Sequence, residues 1–175
     1  MQSEYEEHDT AMTQKNEYRT YVDSPLGRIL LTSDGEALTG LWFDDAEPAG
    51  GEEAQLPVFE EAKRWLKIYF SGREPDFTPE VRFITDSEFR RTVWERLRSI
   101  PYGQTVTYGE IAAEIAAQRG IAKMSAQAVG GAVGSNPVSL IVPCHRVIGA
   151  GGRLVGYGGG LWRKEKLLEL ENPTI

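Results

Sequence analysis

The residues best suited to do chemistry are Cys144 and His145, which are adjacent in the sequence and directly follow Pro143. Cys144 is the chain's only cysteine, and His145 is one of its two histidines. A thiolate is a good nucleophile, and a neighbouring imidazole can take the proton that the thiol must lose. The apolar run from Val138 to Val142 predicts a buried strand, and Pro143 predicts a turn after it. This arrangement would hold the backbone rigidly and leave the thiol partly exposed at the edge of a cleft.

A lone cysteine also has a plainer interpretation, because cysteine is among the residues most often buried in protein cores. Taken by itself, Cys144 fits that structural role. Its neighbours Pro143, His145 and Arg146 favour the catalytic interpretation instead, because they place a base and a cation beside the thiol.

The composition is that of a globular protein with one domain or two small ones. Of 175 residues, 41% are hydrophobic and 26% are charged, which is enough to build a core. No apolar run is long enough to span a membrane, and residues 1–16 are polar and acidic, unlike a signal peptide. A single cysteine excludes an internal disulfide and argues against a structural zinc site. We therefore expect a cytoplasmic protein without membrane attachment or bound metal.

The charge is distributed unevenly along the chain, although its net value is −7. Residues 1–80 contain 7 lysines and arginines against 18 aspartates and glutamates, whereas residues 81–175 contain 12 against 8. The second half can therefore approach a phosphate backbone even though the whole chain is acidic. Chance alone could also produce this imbalance.

The first half of the chain is predicted to be a tail followed by a small α/β domain. Residues 1–16 have the composition of a disordered tail, and residues 17–80 form the expected N-terminal domain. Turn signals separate three candidate strands, which favours a three-stranded antiparallel sheet, and an amphipathic helix follows. The strands are Tyr18–Val22, Arg28–Thr32 and Leu38–Phe43, the helix is Pro57–Phe70, and the linkers are Asp44–Gln55 and Gly72–Pro79.

Residues 81–175 are predicted to form a mainly helical C-terminal domain. Two capping-box patterns, Thr85-Asp86-Ser87-Glu88 and Thr107-Tyr108-Gly109-Glu110, indicate where its first two helices begin. Ser125 can cap a third helix over residues 126–134, whose glycines would let another backbone approach closely. Two such helices followed by strand material resemble a winged helix-turn-helix module, although most helix pairs bind no DNA.

The sequence around the cysteine resembles one protein family. Pro143-Cys144-His145-Arg146-Val147-Ile148 is similar to the active-site signature of the O6-alkylguanine-DNA alkyltransferases. The similar region covers about residues 84–171, and it includes Ala128–Ala132, Asn136-Pro137, Gly156–Leu161 and a closing helix that reaches Glu171. The resemblance implies a ribonuclease-H-like N-terminal domain. The first 80 residues match that domain only in their order of strands followed by a helix. It also implies a winged helix-turn-helix C-terminal domain that carries the active site.

The resemblance implies a role for each residue of the active site. Cys144 would accept the alkyl group from O6 of guanine and keep it as a thioether. His145 would act through a water as the base for the thiol, and Glu171 would orient the histidine. Asn136 would brace the active-site turn with side-chain hydrogen bonds. No cofactor and no metal would be needed, because displacement at an alkyl carbon requires only the nucleophile, its position and a protonated leaving group.

The resemblance also implies how the damaged base is reached. The base would be turned out of double-stranded DNA approached from the minor groove, because the O6 alkyl group lies against the base stack. Tyr108 would crowd the phosphate, help to rotate the nucleotide and donate a hydrogen bond toward the base. Val147, Tyr157 and Gly158 would form the pocket for the extruded base, Gly158 through its backbone N–H.

Gln127 departs from the family pattern, which commonly has an arginine just before the Ala-Val-Gly-Gly stretch. That arginine fills the space left by the extruded nucleotide. Glutamine can hydrogen-bond the orphaned base, but it is shorter and uncharged. Lys123 and Arg119, in the preceding loop, are expected to supply the missing charge, and Ser125 is counted with Gln127 and Lys123 among the DNA-contacting residues.

The expected function is single-turnover DNA repair by a monomer, in which Cys144 irreversibly takes the alkyl group of O6-alkylguanine or of O4-methylthymine. A damage sensor that binds the lesion without repairing it is the main alternative, although related sensors lack the reactive cysteine. A cysteine hydrolase using Cys144 and His145 is a third hypothesis, but adjacent residues rarely face each other. A helix-turn-helix transcription factor would usually dimerise, and the sequence contains no evident dimerisation helix.

Overall fold

The computed structural model describes residues 17–43 and 50–174 of the chain. The tail predicted at residues 1–16 lies outside these residues. The chain divides into two compact units between Ile84 and Thr85. In the described ranges, no helix is long and apolar enough to cross a membrane.

The N-terminal unit contains a mostly antiparallel sheet. Its strands are β1 (Tyr18–Val22), β2 (Ile29–Ser33) and β3 (Leu38–Phe43), which pair in antiparallel fashion as the turn signals between them predict. A fourth strand, β4 (Glu52–Glu53), pairs with β1 in parallel, so the order is β3-β2-β1-β4. It lies in the stretch predicted to be a linker, because two exposed glutamates show neither apolar alternation nor β propensity.

Within residues 17–43 and 50–84, the helix of the N-terminal unit is α1 (Pro57–Phe70), which has the predicted bounds. All five residues of β2 are buried, since β2 is an inner strand that α1 packs against. The residues of α1 that face this core recur at helical intervals. Its buried residues are Val58, Phe59, Ala62, Trp65, Leu66 and Tyr69.

The C-terminal unit contains four helices and a two-stranded parallel sheet, as expected for a winged helix-turn-helix domain. Helices α3 and α4 pack against each other, and α2 packs against α4. The bounds are α2 Glu88–Arg98, β5 Val106–Thr107, α3 Tyr108–Arg119, α4 Ala126–Gly134, β6 Val147–Ile148 and α5 Leu161–Glu171.

Side-chain caps fix where α3 and α4 begin. Thr107 Oγ1 accepts a hydrogen bond from Glu110 N at 3.1 Å, and Thr107 N donates to Glu110 Oε2 at 2.8 Å. This reciprocal pair is the predicted capping box. Ser125 caps α4 as predicted, because its Oγ accepts a hydrogen bond from Ala128 N at 3.2 Å.

The cap predicted for α2 is wrong by two residues. Ser87, and not Thr85, is the N-cap, since Ser87 Oγ accepts a hydrogen bond from Arg90 N at 3.2 Å. Thr85 Oγ1 instead accepts from Ser87 N, which forms a turn before the helix. Threonine and serine are both good caps. The prediction chose Thr85 only because Glu88 follows it by three residues.

The apolar run Val138–Val142 does not form the predicted strand. It folds into turns in which Leu140 adopts a left-handed φ of 69° and Val142 N donates to Val138 O at 3.1 Å. Four of its five residues are buried, so the apolar pattern correctly indicates burial but not an extended backbone. The hydrogen bonds that a partner strand would supply come instead from Asn136, described below with the site.

Candidate active site

Cys144 and His145 lie in a single 3-10 turn, Cys144–Arg146, between Pro143 and β6. The turn is closed by a hydrogen bond from Arg146 N to Pro143 O at 3.0 Å, and α5 packs against it. The prediction of a partly exposed thiol is wrong, because Cys144 is only 7% exposed and His145 is completely buried. Packing of α5 over so short a turn leaves little of it open to solvent.

The carboxylate of Glu171, in the last turn of α5, is the hydrogen-bonding centre of the site. Its Oε2 lies 2.5 Å from His145 Nε2 and accepts from Arg146 Nη2 at 3.1 Å. Its Oε1 accepts from Arg146 Nε at 2.7 Å and from the backbone N–H of Gly103 at 3.0 Å. Arg146 therefore binds the carboxylate with two nitrogens, the strong bidentate geometry of this pair. Glu171 is buried, as expected of a charge that is fully paired.

These contacts set the protonation states of the acid and the base. Burial alone would raise the pKa of Glu171, but the hydrogen bonds from His145 and Arg146 and the positive charge of Arg146 outweigh it and hold that pKa far below the usual carboxyl range. Burial lowers the pKa of His145, and the hydrogen bond and charge of Glu171 oppose that effect. The positive charges of Arg146 and Lys164 add to the lowering, so the net shift of the His145 pKa is downward. The imidazole is therefore neutral with its proton on Nε2, next to the carboxylate, and Nδ1 is its basic nitrogen.

Arg146 also fixes the turn to the end of α2. Its Nη1 donates to Ile100 O at 2.7 Å, and its guanidinium lies 5.6 Å from the centre of the Tyr102 ring. Together with the Gly103–Glu171 bond, these contacts join the turn, α5 and the loop after α2. The sequence motif predicts Arg146 as a cation beside the thiol, but not its contacts with Glu171 and Ile100.

Asn136 holds the turns that lead to the cysteine. Its Nδ2 donates to Val142 O at 2.8 Å and to Val138 O at 3.4 Å, and its Oδ1 accepts from Val138 N at 3.1 Å. Burial raises the pKa of the Cys144 thiol, and the Asn136 side chain opposes part of that increase. The resting site therefore pairs a neutral thiol with a neutral imidazole.

Tyr108 and Lys164 meet at the middle of the loop between β6 and α5. The Tyr108 hydroxyl donates to Val155 O at 3.0 Å. Lys164 Nζ donates to the same carbonyl at 3.4 Å and to Gly156 O at 3.1 Å, and it lies 5.7 Å from the centre of the Tyr108 ring. Burial, followed by the proximity of Cys144, raises the pKa of Tyr108, so its hydroxyl remains a hydrogen-bond donor.

The three residues predicted to hold the base differ in exposure. Val147 is completely buried and pairs with Val106 in the small sheet. Burial raises the pKa of Tyr157 well above its usual value. Gly158 is exposed in the same loop, so its backbone N–H can reach a ligand. Their roles toward a base stay predictions.

The predicted DNA-contacting residues lie on the surface at the beginning of α4. Lys123, Ser125 and Gln127 are all exposed, and the Ser125 oxygen is already used as the helix cap. The guanidinium of Arg119 lies over the Phe89 ring at 5.4 Å. Arg119 and Lys123 are both exposed, and their contacts with phosphate stay predictions.

Gly103 and Lys164 were not among the predicted site residues. Gly103 acts through its backbone, which no sequence pattern reports. Lys164 precedes Glu171 by seven residues, two helical turns, so both lie on one face of α5. That spacing could have indicated Lys164. In the described part of the chain, no cluster of three or more histidine, cysteine, aspartate or glutamate side chains could hold a metal ion.

Replacing Glu171 by glutamine is expected to lower the free energy of unfolding by about 3–5 kcal/mol at neutral pH, because Arg146 would remain buried without its partner charge. The folded-state pKa of Glu171 is depressed, so its contribution is fully present above about pH 4.3, the unfolded value, and is lost as the pH falls toward the folded value. Urea unfolding between pH 3 and 7 should therefore show the two proteins converging in acid.

The matched control is Glu169→Gln, which removes an exposed carboxylate on the same helix. This substitution should change the free energy of unfolding only slightly at any pH. An equal effect of the two substitutions, or a constant difference across the pH range, would contradict the central role of Glu171.

Two family models match the chain, one in each unit. Residues 17–83 match the ribonuclease-like domain of 6-O-methylguanine DNA methyltransferase. Residues 88–173 match its DNA-binding domain.

Related proteins match over most of their length. The chain is 48% identical over 158 residues to the methylated-DNA--protein-cysteine methyltransferase of Mycolicibacterium paratuberculosis, covering 89% of this chain and 92% of that one. It is 40% identical over 158 residues to the protein of the same name from Haemophilus influenzae, covering 88% and 86%.

A crystal structure of Mycobacterium tuberculosis OGT in complex with DNA has a similar fold, with a TM-score of 0.79 and 41% identity. The match covers 89% of this chain and 93% of that one. The two family models and the identity to these relatives lead to one conclusion: the chain belongs to the 6-O-methylguanine DNA methyltransferase family.

Proposed function

We propose that the protein repairs DNA by transferring the alkyl group of O6-alkylguanine, once and irreversibly, to its own Cys144. The observation that carries this proposal is a lone cysteine adjacent in sequence to a buried His145–Glu171 pair, in a chain 40% and 48% identical to two methylated-DNA--protein-cysteine methyltransferases. The protein is thus a methyltransferase that is consumed by its own reaction, because a thioether has no simple route back to the thiol.

The reaction needs a thiolate at the moment of attack. The Cys144 proton passes, through a water, to the basic Nδ1 of His145, whose Nε2–H remains bonded to Glu171. The Sγ electron pair then forms the S–C bond while the C–O6 bond breaks and its electrons return to the base. A proton delivered to guanine balances the charge, and the products are unmodified guanine and S-alkylcysteine.

Double-stranded DNA carrying the lesion is the proposed partner. Support comes from the DNA-binding domain model matched by residues 88–173, from the DNA complex of the Mycobacterium tuberculosis relative and from the excess of basic residues after position 80. Approach from the minor groove, action as a monomer and a cytoplasmic location remain predictions.

Base extrusion would require Tyr108 to change its partner. In the DNA-free protein its hydroxyl is bonded to Val155 O, so it must leave that carbonyl before it can donate to the base. The extruded base would then contact Tyr157 and the Gly158 N–H. Val147 would close the pocket from behind, since its side chain is buried. These steps cost unstacking energy that contacts with the bound base must offset.

The direct test is the intact-protein mass after incubation with a duplex that contains one O6-methylguanine, with Cys144→Ser as the control. We expect a gain of one methylene unit, located on Cys144, that never exceeds one per protein. Tight lesion binding without a mass gain would contradict repair and favour the damage sensor. Neither binding nor a mass gain would reject both functions.

Lys123 is expected to supply charge that Gln127 lacks. Lys123→Ala should weaken duplex binding and lower the slope of log affinity against log salt by about 1, because one phosphate contact is lost. The control is Lys67→Ala, which removes an exposed lysine outside the DNA-binding domain match. If the two variants have the same salt slope as the unmodified protein, Lys123 does not contact phosphate.

A further inference from the structure

The loop that carries Tyr157 and Gly158 has little stiffness of its own. We name residues 155–160 the base-binding loop, in which four of the six residues are glycine. Gly156 and Gly160 adopt left-handed φ values of 63° and 94°, and Gly160 N donates to Tyr157 O at 2.9 Å. Glycine loses more conformational freedom on ordering than any other residue. A pocket built on such a backbone therefore needs contacts from outside the loop.

Lys164, near the start of α5, holds the first part of the base-binding loop. Its Nζ donates to Gly156 O at 3.1 Å and to Val155 O at 3.4 Å, and the residue is 0% exposed. Because the residue is buried, water competes little for these carbonyls, and an ammonium donor binds them more strongly than a neutral donor does. The charge of Lys164 is thus used to fix the backbone of the loop.

Arg163 holds the last part of the same loop. Its Nη1 donates to Gly159 O at 2.9 Å, and the residue is 8% exposed. Its guanidinium lies 4.6 Å from the centre of the Trp162 ring, a cation–π contact that orients it. The same ring lies against Gly160, where an added Cβ would be 3.2 Å from it. Arg163 and Trp162 together therefore fix the end of the loop that enters α5.

The two cations act on both sides of the residues predicted to hold the base. Consecutive side chains on a helix point about 100° apart. Lys164 reaches carbonyls before Tyr157, and Arg163 reaches the carbonyl after Gly158. Both use carbonyl oxygens, so neither consumes the Gly158 N–H that is predicted to contact the base. Neither cation is among the residues predicted for the site.

We propose that Arg163 and Lys164 are positioning residues that hold the base-binding loop, from both sides of Tyr157 and Gly158, in the conformation that receives the extruded base. This inference rests on the proposed function. Neither side chain has to touch the base or Cys144, because each acts through the loop backbone.

Lys164 also shares an acceptor with Tyr108. The Tyr108 hydroxyl donates to Val155 O at 3.0 Å, and in the proposed function it leaves that carbonyl to donate toward the base. Lys164 donates to Val155 O and Gly156 O independently of Tyr108. The loop therefore keeps an anchor at the step in which Tyr108 releases it.

Four variants separate the anchors from the rest of α5. Lys164→Met and Arg163→Met each remove one charged donor and keep a long, unbranched side chain. Lys164→Arg keeps a charged donor and should lie close to the unmodified protein in both measurements. Lys166→Met removes an exposed lysine of the same helix and is the matched control. Thermal melting followed by circular dichroism checks that each variant is folded.

The first measurement is the ¹⁵N NMR order parameter of each amide in residues 156–160, without DNA. We expect values of about 0.85, typical of a rigid backbone, in the unmodified protein and in Lys166→Met. Lys164→Met should lower the values at the start of the loop, and Arg163→Met those at its end, to below about 0.6. Flexible values in the unmodified protein, or unchanged values in either anchor variant, would overturn the proposal.

The second measurement is the rate of methyl transfer as the concentration of the O6-methylguanine duplex is raised. Lys164→Met and Arg163→Met should each lower the maximum rate about tenfold, because the extruded base meets a poorly ordered pocket. Their affinity for undamaged duplex should not change, since both cations are buried away from phosphate.

An unchanged maximum rate in either anchor variant would overturn the proposal. An equal loss of affinity for undamaged duplex would also overturn it, and would leave the two cations a general role in DNA binding. If the unmodified protein transfers no methyl group, the proposed function fails, whereas the order parameters still decide whether the cations hold the loop.

Discussion

The buried carboxylate of Glu171 is the contact on which the site depends. It accepts hydrogen bonds from His145, from Arg146 through two nitrogens and from the backbone of Gly103. One side chain thus joins the end of α5, the turn that carries Cys144 and the loop after α2. Because the carboxylate is buried and its donors fill both oxygens, the imidazole can adopt only one tautomer and one orientation. The position of the His145 imidazole is therefore set before any substrate arrives.

In this ordered site, the resting Cys144 thiol has low intrinsic reactivity. Burial raises the pKa of the Cys144 thiol and lowers that of His145, so the resting pair is neutral. A buried neutral thiol reacts slowly with oxidants and solutes in solution, which suits a group that can be used only once. In the proposed reaction, the thiolate and the imidazolium form only when the proton passes from Cys144 to His145.

Local patterns in the sequence were sufficient for much of the fold. The alternation and turn signals gave Tyr18–Val22 and Leu38–Phe43, and the helical period gave Pro57–Phe70, with their observed bounds. The strand predicted at Val138–Val142 was wrong because an apolar run reports burial, and a turn braced by Asn136 can be buried too. The contacts of Arg146 with Glu171 and Ile100 could not be predicted from local patterns, since they join residues that are distant in the chain.

Protonation of His145 tests the account most directly. The chain has two histidines, so a His8→Gln variant leaves one imidazole whose ¹⁵N chemical shifts can be followed against pH. We expect a neutral Nε2–H tautomer at pH 7, protonated only below the usual value of about 6.5. A His145 that is protonated at pH 7 would show that the effect of Glu171 prevails over burial and the positive charges of Arg146 and Lys164. The resting site would then hold an imidazolium, and the neutral base that this account requires would not exist.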